Sequence, residues 1–251
     1  MKNIFKYFKN LISKNKIATL TVVGVGPGDS SLLTIGAIRA IKEAKYIFFP
    51  VSNTDKKSFA AEIVKNYIKF KKKIPIIFPM ARKELNPDQI WESAAKKIIS
   101  TIDKNNSAVL LCMGDTSIFA SSSYILNKIK DLNPQIIIKK QAGISSLSAA
   151  AAYANYDLVN QGETLKILEC PNDSNQLTSL INNVANKNYV LALLKVGKRW
   201  LWVKEILKKE ALLNNSLLAS NIGMVNQFID KASNNNSDNL PYFSLLIIRF
   251  N

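Results

Sequence analysis

Short apolar runs alternate along this chain with longer segments whose apolar residues recur at roughly three- and four-residue spacing. Leu20–Val25 reads as a buried strand, rich in β-branched residues. It ends in Gly24, Gly26, Pro27 and Gly28, then Asp29 and two serines. Leu32, Ile35, Ile38, Ala40 and Ile41 follow at helical spacing. A strand over Tyr46–Val51, a polar loop over Ser52–Lys57 and a helix over Ser58–Phe70 come next. Ile74–Met80 carries Pro75 and Pro79, so it reads as an edge or irregular strand. Pro87 opens a helix with Ile90, Trp91, Ala94, Ala95, Ile98, Ile99 and Ile102 on one face. Strand Ala108–Met113 and helix Ile118–Lys130 follow, the latter stopped by Asn133-Pro134. Strand Gln135–Lys140 then leads into an alanine-rich helix after Ser145, running to about Tyr153.

Ala154–Gly162 reads as a junction, after which the pattern restarts. Strand Thr164–Glu169, helix Gln176–Ala185, strand Tyr189–Leu194 and helix Trp200–Lys209 come in turn. Strands Leu217–Ile222 and Tyr242–Phe250 close the chain, separated by an Asn/Ser-rich stretch, Ala232–Asn239, that reads as a flexible loop. The expected class is α/β in both halves, with a mixed sheet in the second. The expected divisions are a basic tail over 1–18, a first α/β domain over 19–156 and a second over 157–251.

Three strands end in glycine and a small polar residue: the loop at Gly24–Asp29, Gly114-Asp115-Thr116, and Gly143 with Ser145 and Ser146. In an open α/β sheet, the carboxyl ends of the strands are where ligands bind. The first loop is not the dinucleotide fingerprint, because Asp29 stands where the third glycine belongs. It is not a P-loop, because no Gly-Lys-Ser/Thr follows. Asp115 and Ser145 each read as a ligand contact or a helix cap. Asp29 reads as a partner for its own loop's amides or for a substrate. Lys195, just past a strand, reads as a partner for a substrate carboxylate or as a solvated lysine. Arg39 and Arg199 are weaker candidates of the same kind.

Composition narrows the chemistry. The 251 residues are 47% hydrophobic, enough for a sizeable core. There is no histidine, which removes the commonest general base and metal ligand, so no metal is expected. Cys112 and Cys170 each end an apolar run and read as buried free thiols of a reducing compartment. Lysine and arginine number 34 against 18 acidic residues, a formal charge of +16. The lysines are scattered along the sequence, so neither nucleic acid nor membrane is expected as a partner. Met1–Lys16 is basic, lacks acidic residues and carries Ile4, Phe5, Tyr7, Phe8, Leu11 and Ile12. A frayed tail is its expected state, ahead of an amphipathic helix on a membrane or a transit-like segment.

The ordered motifs VGVGPGD (residues 23–29), MGDTSIF (113–119) and AGISSLSAAAA (142–152) resemble those of the tetrapyrrole methylases. SFAAEIVKNYI (58–68), LLKVGKRW (193–200) and YFSLLIIRF (242–250) are most similar to the precorrin-2 or cobalt-factor II C20-methyltransferases of cobalamin synthesis. The resemblance spans about Leu20 to Phe250. It implies two α/β domains with the cofactor in the cleft between them, and S-adenosylmethionine (SAM) as methyl donor. It also implies a polycarboxylate tetrapyrrole substrate, a homodimer and a cytoplasmic location. SAM contacts are implied at Pro27, Gly114, Asp115, Ile118, Ser145, Ser146, Leu194, Ala219 and Ile222, and substrate contacts at Asp29 and Lys195. Two positions depart from the family pattern: Ala142 and Thr116 stand where proline is usual. Alternatives are a relative of the same fold acting on RNA or protein, or a non-catalytic SAM- or tetrapyrrole-binding protein.

Overall fold

The computed structural model describes residues 17–52, 57–78, 86–102, 106–184 and 188–250. The basic segment 1–16 lies outside the described residues, as do parts of the expected Ser52–Lys57 loop and Ile74–Met80 strand and the last residue of the expected Gln176–Ala185 helix. The chain divides into two compact units, Met1–Ile144 and Ser145–Asn251.

The N-terminal unit alternates strands and helices: β1 (Thr19–Gly24), α1 (Ile35–Glu43), β2 (Tyr46–Val51), α2 (Phe59–Ile63), β3 (Lys72–Ile77), α3 (Pro87–Thr101), β4 (Ser107–Cys112), α4 (Ser122–Leu132) and β5 (Ile137–Gln141). All five strands are parallel, in the order β3-β2-β4-β1-β5. Successive strand residues face opposite sides, which explains the near-continuous apolar runs of a sheet covered on both faces. Leu20, Val22, Phe48 and Leu110 pack with Trp91, Ile98 and Ile125 of α3 and α4. Val23, Ile47, Val109 and Leu111 pack with Ala37, Ile41, Ala60 and Ile63 of α1 and α2. β3, with Pro75 inside it, lies at the edge as expected.

The C-terminal unit comprises α5 (Ser146–Tyr153), β6 (Thr164–Glu169), α6 (Ser174–Val184), β7 (Tyr189–Leu194), α7 (Trp200–Lys209), β8 (Ser216–Ser220), β9 (Phe228–Lys231) and β10 (Ser244–Arg249). Its sheet runs β6-β7-β10-β8-β9. β6 and β7 are parallel, while β10 is antiparallel to both β7 and β8, and β9 antiparallel to β8. This is the expected mixed sheet. One face packs Leu191, Leu193, Leu218, Leu246 and Ile248 against Leu177 and Ile181 of α6 and Trp200, Val203 and Leu207 of α7.

Four elements differ from expectation. The helix expected to Phe70 stops at Ile63 and gives way to turns, because the β-branched Ile63-Val64 pair is followed by Asn66. The helix expected from Ile118 begins at Ser122, because Phe119 adopts a left-handed φ of 47°. The strand expected to Ile222 ends at Ser220, where Asn221 and Gly223 take positive φ and turn the chain into the unexpected β9. The stretch Ala232–Asn239 begins with a 3-10 turn over Ala232–Asn234, and its Ser237 carbonyl accepts a 2.9 Å bond from Trp200 Nε1.

Candidate functional site

The three glycine loops of the N-terminal unit are stitched to one another at the carboxyl ends of β1, β4 and β5. Gly26 and Gly114 form a two-bond bridge: the Gly114 amide donates to Gly26 O at 2.8 Å, and the Gly26 amide to Gly114 O at 3.2 Å. Both glycines have positive φ, 77° and 66°, a conformation glycine adopts at no steric cost. Asp115 ties the second loop to the third. Its Oδ1 accepts from the Ser117 amide at 2.8 Å and from the Ser117 hydroxyl, and its Oδ2 accepts from the Gly143 amide at 3.1 Å. Thr34 Oγ1 closes the ring, donating to Ala142 O at 3.3 Å while capping α1 by accepting from the Ala37 amide.

This arrangement settles the electrostatics of Asp115. Burial alone raises its carboxyl, but the bonds from the Ser117 hydroxyl and from the Ser117, Gly143 and Thr116 amides outweigh that and hold it below the usual range. It is an anionic tie between loops and does not cap a helix, since α4 starts only at Ser122. Asp29 takes the loop role: its Oδ1 accepts from the Ser31 amide at 2.7 Å and caps a 3-10 turn over Ser30–Leu32. Pro27 is buried beside Gly26, and Ile118 is half-buried in the Thr116–Ala120 segment. Cys112 is not a nucleophile, because burial pushes its thiol up to about 11.

Gly24 and Gly143 have a different function from Gly26 and Gly114. A Cβ on Gly143 would sit 2.6 Å from Gly24 C and closer still to Gly114 O. A Cβ on Gly24 would sit 2.6 Å from Gly143 N. The three loops therefore touch backbone to backbone. A Cβ on Gly114, by contrast, would meet nothing within 4 Å, so this glycine borders open space.

In the C-terminal unit, Ser145 caps α5 by accepting from the Ser148 amide at 3.1 Å, and Ser146 is the first helical residue. Leu194 and Ala219 both pair with Leu245, giving one row across β7, β10 and β8. Ile222 is buried just beyond β8. Lys195 has a left-handed φ of 58° and its Nζ lies 3.2 Å from Glu169 Oε2. Its carbonyl accepts from Arg199 Nη1 at 3.0 Å, and Arg199 Nη2 donates to Asn172. A lysine held in this conformation carries strain of about 1 kcal/mol, a feature that gathers at functional sites. Glu169, Thr34 and the paired role of Gly24 with Gly143 were not read from the sequence. For Gly143 the local signal was present in its position just past a strand.

A family model for Tetrapyrrole (Corrin/Porphyrin) Methylases matches residues 19–233. The chain belongs to the tetrapyrrole methylase family. A Methanocaldococcus jannaschii relative named "Probable cobalt-precorrin-2 C(20)-methyltransferase" is 33% identical over 178 residues, covering 69% of this chain and 75% of that one. A Sinorhizobium protein named "Precorrin-2 C(20)-methyltransferase" is 20% identical over 242 residues, covering 92% and 95%. The Mycobacterium tuberculosis "Cobalamin biosynthesis protein CobIJ" is 24% identical over 239 residues, and the match spans 92% of this chain but 46% of that one. Among solved structures, a cobalamin synthesis related protein (CobF) from Corynebacterium diphtheriae superposes with a TM-score of 0.66 at 15% identity, covering 93% of this tetrapyrrole methylase and 98% of its own chain. That likeness bears on the fold alone. Among the described residues of this methylase, no cluster of three or more metal-ligating side chains occurs, and no helix is long and apolar enough to cross a membrane.

Proposed function

We propose that the protein transfers a methyl group from SAM to C-20 of precorrin-2 or its cobalt counterpart in cobalamin biosynthesis. The observation that carries this reading is the shared C(20)-methyltransferase name of two relatives, one of them 33% identical. The loops leave room for a nucleoside sulfonium: a backbone-lined surface borders open space at Gly114, with the buried Pro27 next to Gly26. SAM supplies the electrophilic methyl and its own leaving group, so the chain's task is chiefly to position the acceptor carbon. Gly114, Pro27, Asp115 and Ile118 would hold the cofactor from the N-terminal unit. Ser145, Ser146, Leu194, Ala219 and Ile222 are the counterpart set of the C-terminal unit. A cytoplasmic homodimer belongs to the same reading; the buried free thiols Cys112 and Cys170 support a reducing compartment. The test is incubation with SAM and each precursor, followed by mass spectrometry. One added methyl at C-20 is expected. A methyl at another position, or none from either precursor, would overturn the assignment.

Gly114→Val is expected to weaken SAM binding at least about tenfold, since its side chain fills the open space and φ of 66° opposes it. Gly114→Asn separates the two causes, because asparagine tolerates left-handed φ. It should stay folded and still bind SAM poorly by calorimetry. Full affinity in a folded Gly114→Asn protein would remove Gly114 from the site.

Lys195 is read as a partner for a substrate carboxylate that competes with Glu169 for it. Lys195→Ala should raise KM for the tetrapyrrole more than KM for SAM. Glu169→Gln should lower tetrapyrrole KM roughly two- to fivefold by weakening its tie to Lys195 and removing an anion. If Glu169→Gln raises that KM, the pair is structural.

A further inference from the structure

We propose that the face of the N-terminal unit at the amino ends of its strands is a docking surface for an anionic lipid bilayer. Because β1 to β5 are all parallel, these amino ends share one edge of the sheet, opposite the glycine loops. Lysines far apart in sequence meet there. Lys42 and Lys45 flank the end of α1 and the start of β2, and Lys69, Lys71, Lys72 and Lys73 lead into β3. Lys71 Nζ donates to the carbonyls of Lys42 and Ala44, joining the two segments. The Nζ atoms of Lys45 and Lys72 lie 5.1 and 5.7 Å from the centroid of the Tyr46 ring, and that of Lys42 lies 6.0 Å from Tyr67. Within residues 42–46 and 67–74 the one acidic side chain is Glu43. The neighbouring Glu62 is paired with Lys65 at 2.6 Å.

The patch is not only charged. Phe70 stands among these lysines with 93% of its surface exposed, Lys69 Nζ being 5.5 Å from its ring. Ile17, at the amino end of β1, is 55% exposed. β1 lies two strand spacings from β2, about 10 Å. Lysines surrounding an exposed aromatic match a bilayer surface: headgroup phosphates attract the ammonium groups and the interfacial layer accepts the ring. A nucleic acid backbone would satisfy the lysines alone and leave Phe70 and Ile17 in water. The parallel sheet thus sets Lys42 and Lys45 beside the lysine cluster at 69–73.

The test is flotation of the full-length protein with neutral phosphatidylcholine vesicles and with vesicles in which about a third of the lipid is phosphatidylglycerol. Binding to the anionic vesicles only, weakened by salt, is expected. Combined Lys69→Gln, Lys72→Gln and Lys73→Gln should weaken it about a hundredfold, at about fivefold per lysine. Phe70→Ala should weaken it about tenfold. Lys71 stays, because it caps α1. These positions are exposed, so an unchanged melting temperature confirms that the variants fold. Equal binding to both vesicle types, anionic binding by the triple variant within threefold of the parent, or tighter binding to single-stranded RNA lost in the same variant would each overturn the proposal.

Discussion

Gly143→Ala is expected to cost the N-terminal unit about 3 kcal/mol or more, a large fraction of an ordinary domain's stability. The added methyl would sit 2.6 Å from the Gly24 carbonyl carbon and nearer still to Gly114 O. All of the blocking atoms are backbone, anchored by β1, β4 and the Gly26–Gly114 bridge, so relief requires moving strand ends. The movement would also pull the Gly143 amide from Asp115 Oδ2. Gly36→Ala is the matched comparison. There the new Cβ also meets an atom at 2.6 Å, but that atom is the Nε2 of Gln141, the far end of a flexible side chain. Alanine in α1 also gains helix propensity, so the net change should stay within about 1 kcal/mol. Urea unfolding of the two variants reads the contrast. Equal stabilities would show that the loops do not pack as described.

The second large effect is expected at Arg249. This last residue of β10 is 13% exposed in its side chain and its ion-pair partner Glu163 is 16% exposed. Arg249 Nε donates to Tyr156 Oη at 3.0 Å, Nη1 to Glu163 and Nη2 to the Asp157 carbonyl, and the guanidinium lies 5.0 Å from the Tyr156 ring. Arg249→Met keeps the length but strands these acceptors, and should lower the midpoint of urea unfolding. The pair also carries a pH signature. The Asn160 amide, opposed by burial and aided by Arg249, holds the Glu163 carboxyl below its ordinary value near 4.5. A depressed carboxylate stabilises the fold above its unfolded pKa, and that stability is lost as pH falls through the folded pKa. Acid titration of stability should therefore be shallower below pH 4.5 in Arg249→Met than in the parent. An equally steep loss in both would leave the depression of Glu163 to the Asn160 amide and remove Arg249 from it.

Much of the fold was legible because its signals are local. The apolar runs at Leu20–Val25 and Ala108–Met113, the Pro87 helix start and the Asn133-Pro134 stop each depend on neighbours in the chain. The three glycine loops were legible as loops, but the division of labour among their glycines was not. Gly24 and Gly143 serve each other across more than a hundred residues, and no spacing rule reports that. Asp115 was read as either a ligand contact or a cap. Its bond to the Gly143 amide is again a long-range fact. The late start of α4 and the unexpected β9 failed for another reason, since single left-handed residues such as Phe119 and Asn221 decide where an element starts or stops.

The position of β10 has a consequence for synthesis. This strand, the last of the ten among the described residues, lies in the middle of its sheet, between β7 and β8. The N-terminal sheet has all five strands once Gln141 has left the ribosome, but β7 and β8 stay without their common neighbour until Arg249 emerges. At ordinary elongation rates the intervening stretch takes roughly 5–20 s to make. During that window the first unit can fold while the second presents two apolar strand edges. Nascent chains stalled after Ser220 should accordingly carry a protease-resistant first unit followed by a digestible remainder, and that remainder is the part for which a chaperone would compete.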